Sequence, residues 1–353
     1  MEVKEIWFNQ KKNSLSNTTL TFRNQDLDGA TDYHFTGEPV RAYVGEWKFR
    51  RGKRDRNAGS SDSHSCHFPL LGKLCDQWAV VTTTDHGPKG AVKRAVRLEN
   101  WCKVMVADTK TPENYLEEMT SADTILGHSG DIVYLSIQKQ RQLKNCFVES
   151  MPFYSFSREN VGYLYAIRHG AKVIFDCDDN NILKSQATEK DLSKAMPPWI
   201  SQPNINPQNI RVKVKAPMWA DCPSSVINPY SYLGPSIKGV WPRGFSLQSL
   251  DCGNDSFNAV TDDKSRLLLG DISIDQVGII QLVADSNPDV DVIYRSTRTL
   301  PLTFEDNLAS LKLLIPENTF APYNSQATLH FYKFFWGMLL PRTVTDRRCG
   351  RHC

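Results

Sequence analysis

Asp176, Asp178 and Asp179 stand directly after AKVIF (171–175), a run with the character of a buried strand. Asp176 and Asp178 alternate as neighbours on one strand face. Three carboxylates this close repel one another unless a cation offsets their charge. An all-oxygen donor set suits Mg²⁺ or Mn²⁺, and such ions commonly link one or two carboxylates to a substrate diphosphate. The chemistry that needs this arrangement is departure of a diphosphate, whose developing charge the metal offsets. Asp-Asp-Asn is also a common strand-to-turn boundary, so the surrounding elements decide how much the motif means.

Those elements alternate. WAVVTTT (78–84) is rich in β-branched residues and reads as a strand. HGPKG (86–90) is a turn, AVKRAVRLEN (91–100) has helical spacing, and WCKVMVAD (101–108) is a second strand. Together they form a β-α-β unit. PENYLEEMTSA (112–122) reads as a helix, DIVYLS (131–136) as a third strand, and 137–143 as a short helix or loop. SRENVGYLYAIRHG (157–170) is a helix with Gly170 as its stop. The alternation predicts an α/β fold with a mostly parallel central sheet and helices on both faces. Ligands bind such sheets beyond the carboxyl ends of the strands. Three strands end in polar groups there, at Thr82–Asp85, Asp108 and Asp176–Asn181. Further on, 277–285 reads as a helix, 291–298 as a strand or extended segment, and 327–341 as an aromatic-rich helix packed on the body.

The chain has 353 residues and a formal charge of +3. That charge is unevenly placed. Residues 41–56 carry net +5 and residues 342–353 net +3, so the remainder is mildly acidic. An extended nucleic-acid footprint is therefore excluded as a partner surface. RRGKRDRNAGSSDSHS (50–65) reads as a solvated linker. Residues 1–75 form a polar, partly disordered N-terminal extension, 76–343 the folded domain, and 344–353 a basic tail. No apolar run of membrane-spanning length and no signal segment is present, so the chain as given reads as cytoplasmic. The nine cysteines contain no C-x-x-C, which argues against zinc. Cys102 and Cys177 read as buried thiols, and Cys222 and Cys252 as loop residues that could pair. Sequons occur at Asn17 and Asn254.

SRENVGYLYAIRHGAKVIFDCDDNN (157–181) resembles the signature of the STELLO-type glycosyltransferase family. That signature has an Arg-x-Asn-x-Gly-Tyr-Leu-Tyr-Ala-Ile opening, then His-Gly-Ala, then a strand ending in Asp-x-Asp-Asp-Asn. WAVVTTTDHGP (78–88), NPYSYLG (228–234), VWPRGFSL (240–247), VADSNPDVDVIYRSTR (283–298) and FAPYNSQATLHFYKFFWGMLLP (320–341) are similar to the same family. The resemblance implies a GT-A-like single domain and a Golgi setting, lumenal and membrane-anchored. Two features depart from it. No anchor stands at the N-terminus, and RTVTDRRCGRHC (342–353) replaces the family's Gly-Arg-Val-Ser-Asp-Ile-Trp-Arg.

On this reading the chain transfers a sugar from a nucleotide-sugar donor to a glycan or protein acceptor, with Mn²⁺ or Mg²⁺. Asp176, Asp178 and Asp179 are the metal candidates. Thr83, Thr84, Asp85, Asp108, Arg158 and Asp176 are the donor-binding candidates, with Arg158 holding the diphosphate bidentately. Asp285, Asp289 and Asp291 are candidates for a base at the acceptor hydroxyl. Tyr230, Trp241 and Arg243 are candidates for an acceptor sugar site. Two alternatives stand beside this one. The first is a non-catalytic scaffold that organises other glycan-synthesising enzymes through its aromatic surface or basic segment. The second is a mutase or self-glycosylating protein with Arg158 as acceptor.

Overall fold

A computed structural model describes residues 5–9, 20–22, 33–35, 73–83, 90–119, 132–179, 196, 210–217, 226–237, 239–245, 267–284, 287–298, 300–304, 311–315, 319–325 and 327–341. The chain divides into two compact units. Lys11–Ser63 is one, and Met1–Gln10 with His64–Cys353 is the other. Within the smaller unit, β2 (Leu20–Phe22) and β3 (Tyr33–Phe35) pair antiparallel.

The larger unit is built on a ten-stranded sheet. Its strands are β1 (Glu5–Asn9), β4 (Gln77–Thr82), β5 (Cys102–Val106), β6 (Ile132–Leu135), β7 (Val173–Asp178), β8 (Arg211–Pro217), β9 (Leu267–Ser273), β10 (Val277–Leu282), β11 (Lys312–Ile315) and β12 (Ala327–Phe331). The order is β6-β5-β4-β7-β12-β10-β1-β11-β8-β9. The first four strands are parallel, as the β-α-β alternation predicts. Beyond β7 the sheet turns mixed: β12, β10 and β1 join antiparallel, and β11 and β8 parallel. Glu5–Asn9 lies in the part assigned from sequence to the polar extension, and it forms a strand between β10 and β11.

Both faces of the parallel half are covered. On one side α1 (Gly90–Ala95) and α2 (Tyr115–Met119) bury Val92, Ala95, Tyr115 and Met119 against Ala79, Val81, Met105 and Phe175. On the other, α5 (Glu159–Arg168) buries Val161, Tyr165 and Ala166 against Val80, Val104 and Val106. Each of the larger apolar side chains among them contributes roughly 1.5–3 kcal/mol of transfer free energy. Before α5 come α3 (Ile137–Gln142) and α4 (Cys146–Ser150), the latter capped by Asn145. Gly162 lets α5 approach closely, since a Cβ there would meet Val80 Cγ1 at 2.6 Å and Val106 Cγ2 at 2.9 Å. Gly170, at φ +90°, ends the helix in the left-handed conformation that favours glycine. Ala171 N then donates to Ala166 O at 3.0 Å, and the chain turns into β7.

Three expectations are corrected. Residues 277–282 are a strand, not a helix. β10 is buried on both faces between β12 and β1, so it shows no alternation, and a continuous apolar run does not distinguish the two elements. Residues 292–297 form a helix, α6 (Val292–Thr297), despite their β-branched start. The Asp291 carboxylate accepts from Ile293 N at 2.7 Å and caps it. The stretch 327–341 is β12 followed by a 3-10 turn, Tyr332–Gly337. Its aromatic surface is only partly packed: Phe335 is buried, while Trp336 is 73% exposed.

Cys102 is buried as expected but is not a free thiol. It is bonded to Cys75 across a Cα–Cα distance of 6.2 Å, because both stand at the amino ends of the adjacent strands β4 and β5. Cys177 is a buried free thiol. Cys222, Cys252, Asn17 and Asn254 lie outside the described residues. No helix among the described residues is long and apolar enough to cross a membrane.

Candidate functional site

The parallel register brings the three polar strand ends together. Thr82 is opposite both Val106 and Asp178, so β4 carries the ends of β5 and β7 on either side. Thr83 continues this line, with its N–H donating to Val106 O at 3.0 Å and its hydroxyl 2.8 Å from that of Thr111. Thr111, which no sequence pattern singled out, also accepts from Asp108 N at 2.9 Å and so ties the β4 and β5 ends together. Thr84 and Asp85 lie outside the described residues.

Asp108 is buried and faces inward. Its Oδ1 accepts from Thr109 N at 2.6 Å and its Oδ2 from Tyr154 N at 2.8 Å. It therefore anchors the 153–155 turn instead of presenting a carboxylate to a ribose. Arg158 is turned inward too. Its Nη1 donates to Val148 O at 3.1 Å and Met151 O at 2.7 Å, and its Nη2 donates to Gln140 Oε1. The guanidinium lies 4.1 Å from the Phe153 ring centroid. Burial lowers its pKa to about 10. This arginine pins α3, α4 and the following turn to the start of α5. In this arrangement both Nη atoms are engaged by protein oxygens, and the residue is 3% exposed.

The acids of β7 divide into two environments. Asp176 is 3% exposed, and its Oδ2 accepts from Tyr163 Oη at 2.6 Å. Tyr163 Oη also lies 3.0 Å from Glu159 Oε2. A phenol has one proton, so it donates to one of these carboxylates at a time. Burial raises Asp176 to about 8, against the opposing effect of hydrogen bonds from Tyr163 and Ser325. Burial likewise pushes the Cys177 thiol well up, and the flanking carboxylates add to it. Asp178 and Asp179 are only half-buried, at the open end of the strand. Among the described residues, no three His, Cys, Asp or Glu side chains are grouped to hold an ion by themselves. An ion shared with a diphosphate needs only one or two protein carboxylates. Asp178 and Asp179 fit that requirement, and Asp176, held by Tyr163, fits it less well.

The acceptor-side candidates also converge. Arg243 Nη2 pairs with Asp289 Oδ1 at 2.6 Å, and Arg243 N donates to Asp289 O at 3.1 Å. Tyr230 Oη donates to the same Asp289 carbonyl at 3.3 Å. Burial, with Asp289 adding to it, pushes the Tyr230 phenol far up. The rings are core residues, however. Tyr230 meets Phe304 edge-on at 5.5 Å, and Trp241 meets Tyr294 edge-on at 5.2 Å. At 1% and 8% exposure, neither offers a face on which a sugar could stack. Asp289 is ion-paired to Arg243, and Asp291 caps α6. Asp285 lies outside the described residues.

No family model matches the chain. Over 294 residues, 79% of its length, the chain is 28% identical to "Probable glycosyltransferase STELLO2" and 27% identical to "Probable glycosyltransferase STELLO1", both of Arabidopsis thaliana. The match covers 32% of each, so this chain spans about a third of the length of the curated relatives it matches. Over most of its length, the α5–β7 unit included, the chain is similar to these two STELLO-type proteins.

Proposed function

We propose that this chain is a metal-dependent glycosyltransferase domain that moves a sugar from a nucleotide-sugar donor to a glycan or protein acceptor. The observation that carries this reading is the half-buried pair Asp178 and Asp179 at the carboxyl end of β7, in register with the Thr82–Thr83 end of β4. The names of the two relatives support the reaction class.

Asp178 and Asp179 hold Mn²⁺ or Mg²⁺ on this account. When bound, the ion offsets the charge that develops on the departing diphosphate. The Thr83–Thr111 pair lines the nucleotide side, with Thr84 and Asp85 next in the chain. Asp176, Tyr163 and Ser325 keep the end of β7 in place from beneath. Asp108 and Arg158 hold the loops around it. With Asp289 and Asp291 committed elsewhere, Asp285 is the remaining candidate base. The Cys75–Cys102 bond fits an oxidising compartment such as the Golgi lumen that the resemblance implies.

The test is calorimetric titration of UDP and GDP with Mn²⁺ present and absent, followed by incubation with a panel of nucleotide sugars. Mn²⁺-dependent binding followed by donor turnover is expected. A second reading, a scaffold for other glycan-synthesising enzymes, is favoured by the exposed aromatic turn, where Trp336 and Tyr332 are 73% and 51% exposed. Persistent absence of both donor hydrolysis and transfer would favour it.

A further inference from the structure

Tyr154 stands in the turn between α4 and α5, at φ +54°. A bulky side chain in that left-handed region is strained, and such strain persists only where the surroundings impose it. Here they do. The Asp108 carboxylate accepts from Tyr154 N at 2.8 Å, and Met151 O accepts from the buried Arg158 at 2.7 Å. The Arg158 guanidinium also lies against the Phe153 ring, and the buried Ser155 caps the 3-10 turn that follows. With its neighbours fixed in this way, Tyr154 itself is 42% exposed. Lys110 Nζ lies 5.0 Å from its ring centroid. These contacts locate the ring. Asp108 and Lys110 follow the carboxyl end of β5, and the next residue, Thr111, meets Thr83 at the end of β4. Thr82 of β4 is opposite Val106 of β5 and Asp178 of β7. The ring is therefore held at the same edge of the sheet as Asp178, beside a strand two positions away, a separation of about 10 Å between strand axes.

We propose that the Tyr154 ring is the platform on which the base of the donor nucleotide stacks, its diphosphate being held through Asp178, Asp179 and a divalent cation. This rests on the reading of the β7 end given above. A diphosphate fixed at β7 leaves the nucleoside to extend along the Thr83–Thr111 side toward β5. Every base has a π-face, so an exposed ring held by a fixed backbone receives it without reading its hydrogen-bonding edge. Neither the D-x-D motif nor the strand-end pattern includes this residue.

The test compares Tyr154→Gly, which removes the ring and suits a positive φ, with Tyr154→Phe, which keeps the ring. UDP, GDP and inorganic diphosphate are titrated separately with Mn²⁺ into wild type, both variants and Asp178→Ala, and the Tm of each free protein is measured. Tyr154→Gly is expected to bind the nucleotides about tenfold more weakly, inorganic diphosphate as wild type does, and to keep its Tm. Tyr154→Phe should bind all three as wild type does. Equal nucleotide affinity for wild type and Tyr154→Gly overturns the proposal. So does an equal weakening for inorganic diphosphate, with or without a fall in Tm, which would make Tyr154 a support of the turn. A Tyr154→Phe as weak as Tyr154→Gly would put the contact on the hydroxyl and overturn it too. If Asp178→Ala weakens nucleotide binding while Tyr154→Gly matches wild type, only the Tyr154 assignment fails. If wild type binds neither nucleotide, the donor-site reading fails and this proposal fails with it.

Discussion

The end of β7 and the surroundings of Asp289 are both polar, and both were singled out by residue type, yet they differ in how far their carboxylates are buried. Around Asp289 the carboxylate has Arg243 at 2.6 Å, the backbone carbonyl accepts from Tyr230 and from Arg243 N, and the rings pack edge-to-face. Asp289 is 5% exposed, and the cluster is packed into the body of the protein. At the β7 end, Asp178 and Asp179 are only half-buried, at adjacent positions. A carboxylate that a ligand can reach is the better mark of a site than a conspicuous charge buried in the body. Arg158 makes the same point, because the guanidinium best suited by type to a diphosphate is 3% exposed and its Nη atoms donate to Val148, Met151 and Gln140.

Arg158→Ala tests this contrast with the largest expected effect. It leaves two carbonyls and a glutamine oxygen buried without their donor, so chemical denaturation should show a loss of about 3–5 kcal/mol. Unchanged stability with lost nucleotide binding would instead return Arg158 to the diphosphate. Asp289→Ala should cost about 2–3 kcal/mol, toward the lower end for a buried pair because the Arg243 side chain is 34% exposed. A variant of wild-type stability that had lost transfer would make Asp289 the base and dissolve the contrast.

His330 gives a smaller and graded effect. It is 1% exposed on β12, and burial lowers its pKa to about 3. The unfolded chain protonates it near its ordinary value of about 6.5. Stability from this residue is therefore complete above about pH 6.5. It falls as pH drops toward 3, by at most about 1.4 kcal/mol per pH unit. His330→Asn should flatten that slope in urea titrations between pH 6 and 4. An unchanged slope would mean that His330 is not held neutral by burial.

The parallel half of the sheet was legible because β4 to β7 alternate with helical segments and end in polar residues. The mixed half was not. β10 is apolar throughout because it is covered on both faces, and α6 is held as a helix by one capping carboxylate against its β-branched composition. Within the site, Asp178 and Asp179 were legible from type and spacing. The inward turn of Asp108 and Arg158 was not, because it depends on the carbonyls of 148 and 151 and on the amide of Tyr154. Thr111 had no signal in its neighbours along the chain. Its place follows from its contact with Thr83, 28 residues away.

The central claim is that Asp178 and Asp179 present a divalent cation to a nucleoside diphosphate. Titration of UDP and GDP into wild type and Asp178→Ala, each with and without Mn²⁺, addresses it most directly. The account predicts binding to wild type only with Mn²⁺, and at least about tenfold weaker binding to Asp178→Ala with the free-protein Tm preserved. Equal binding by Asp178→Ala, or no binding by wild type with Mn²⁺, would contradict it.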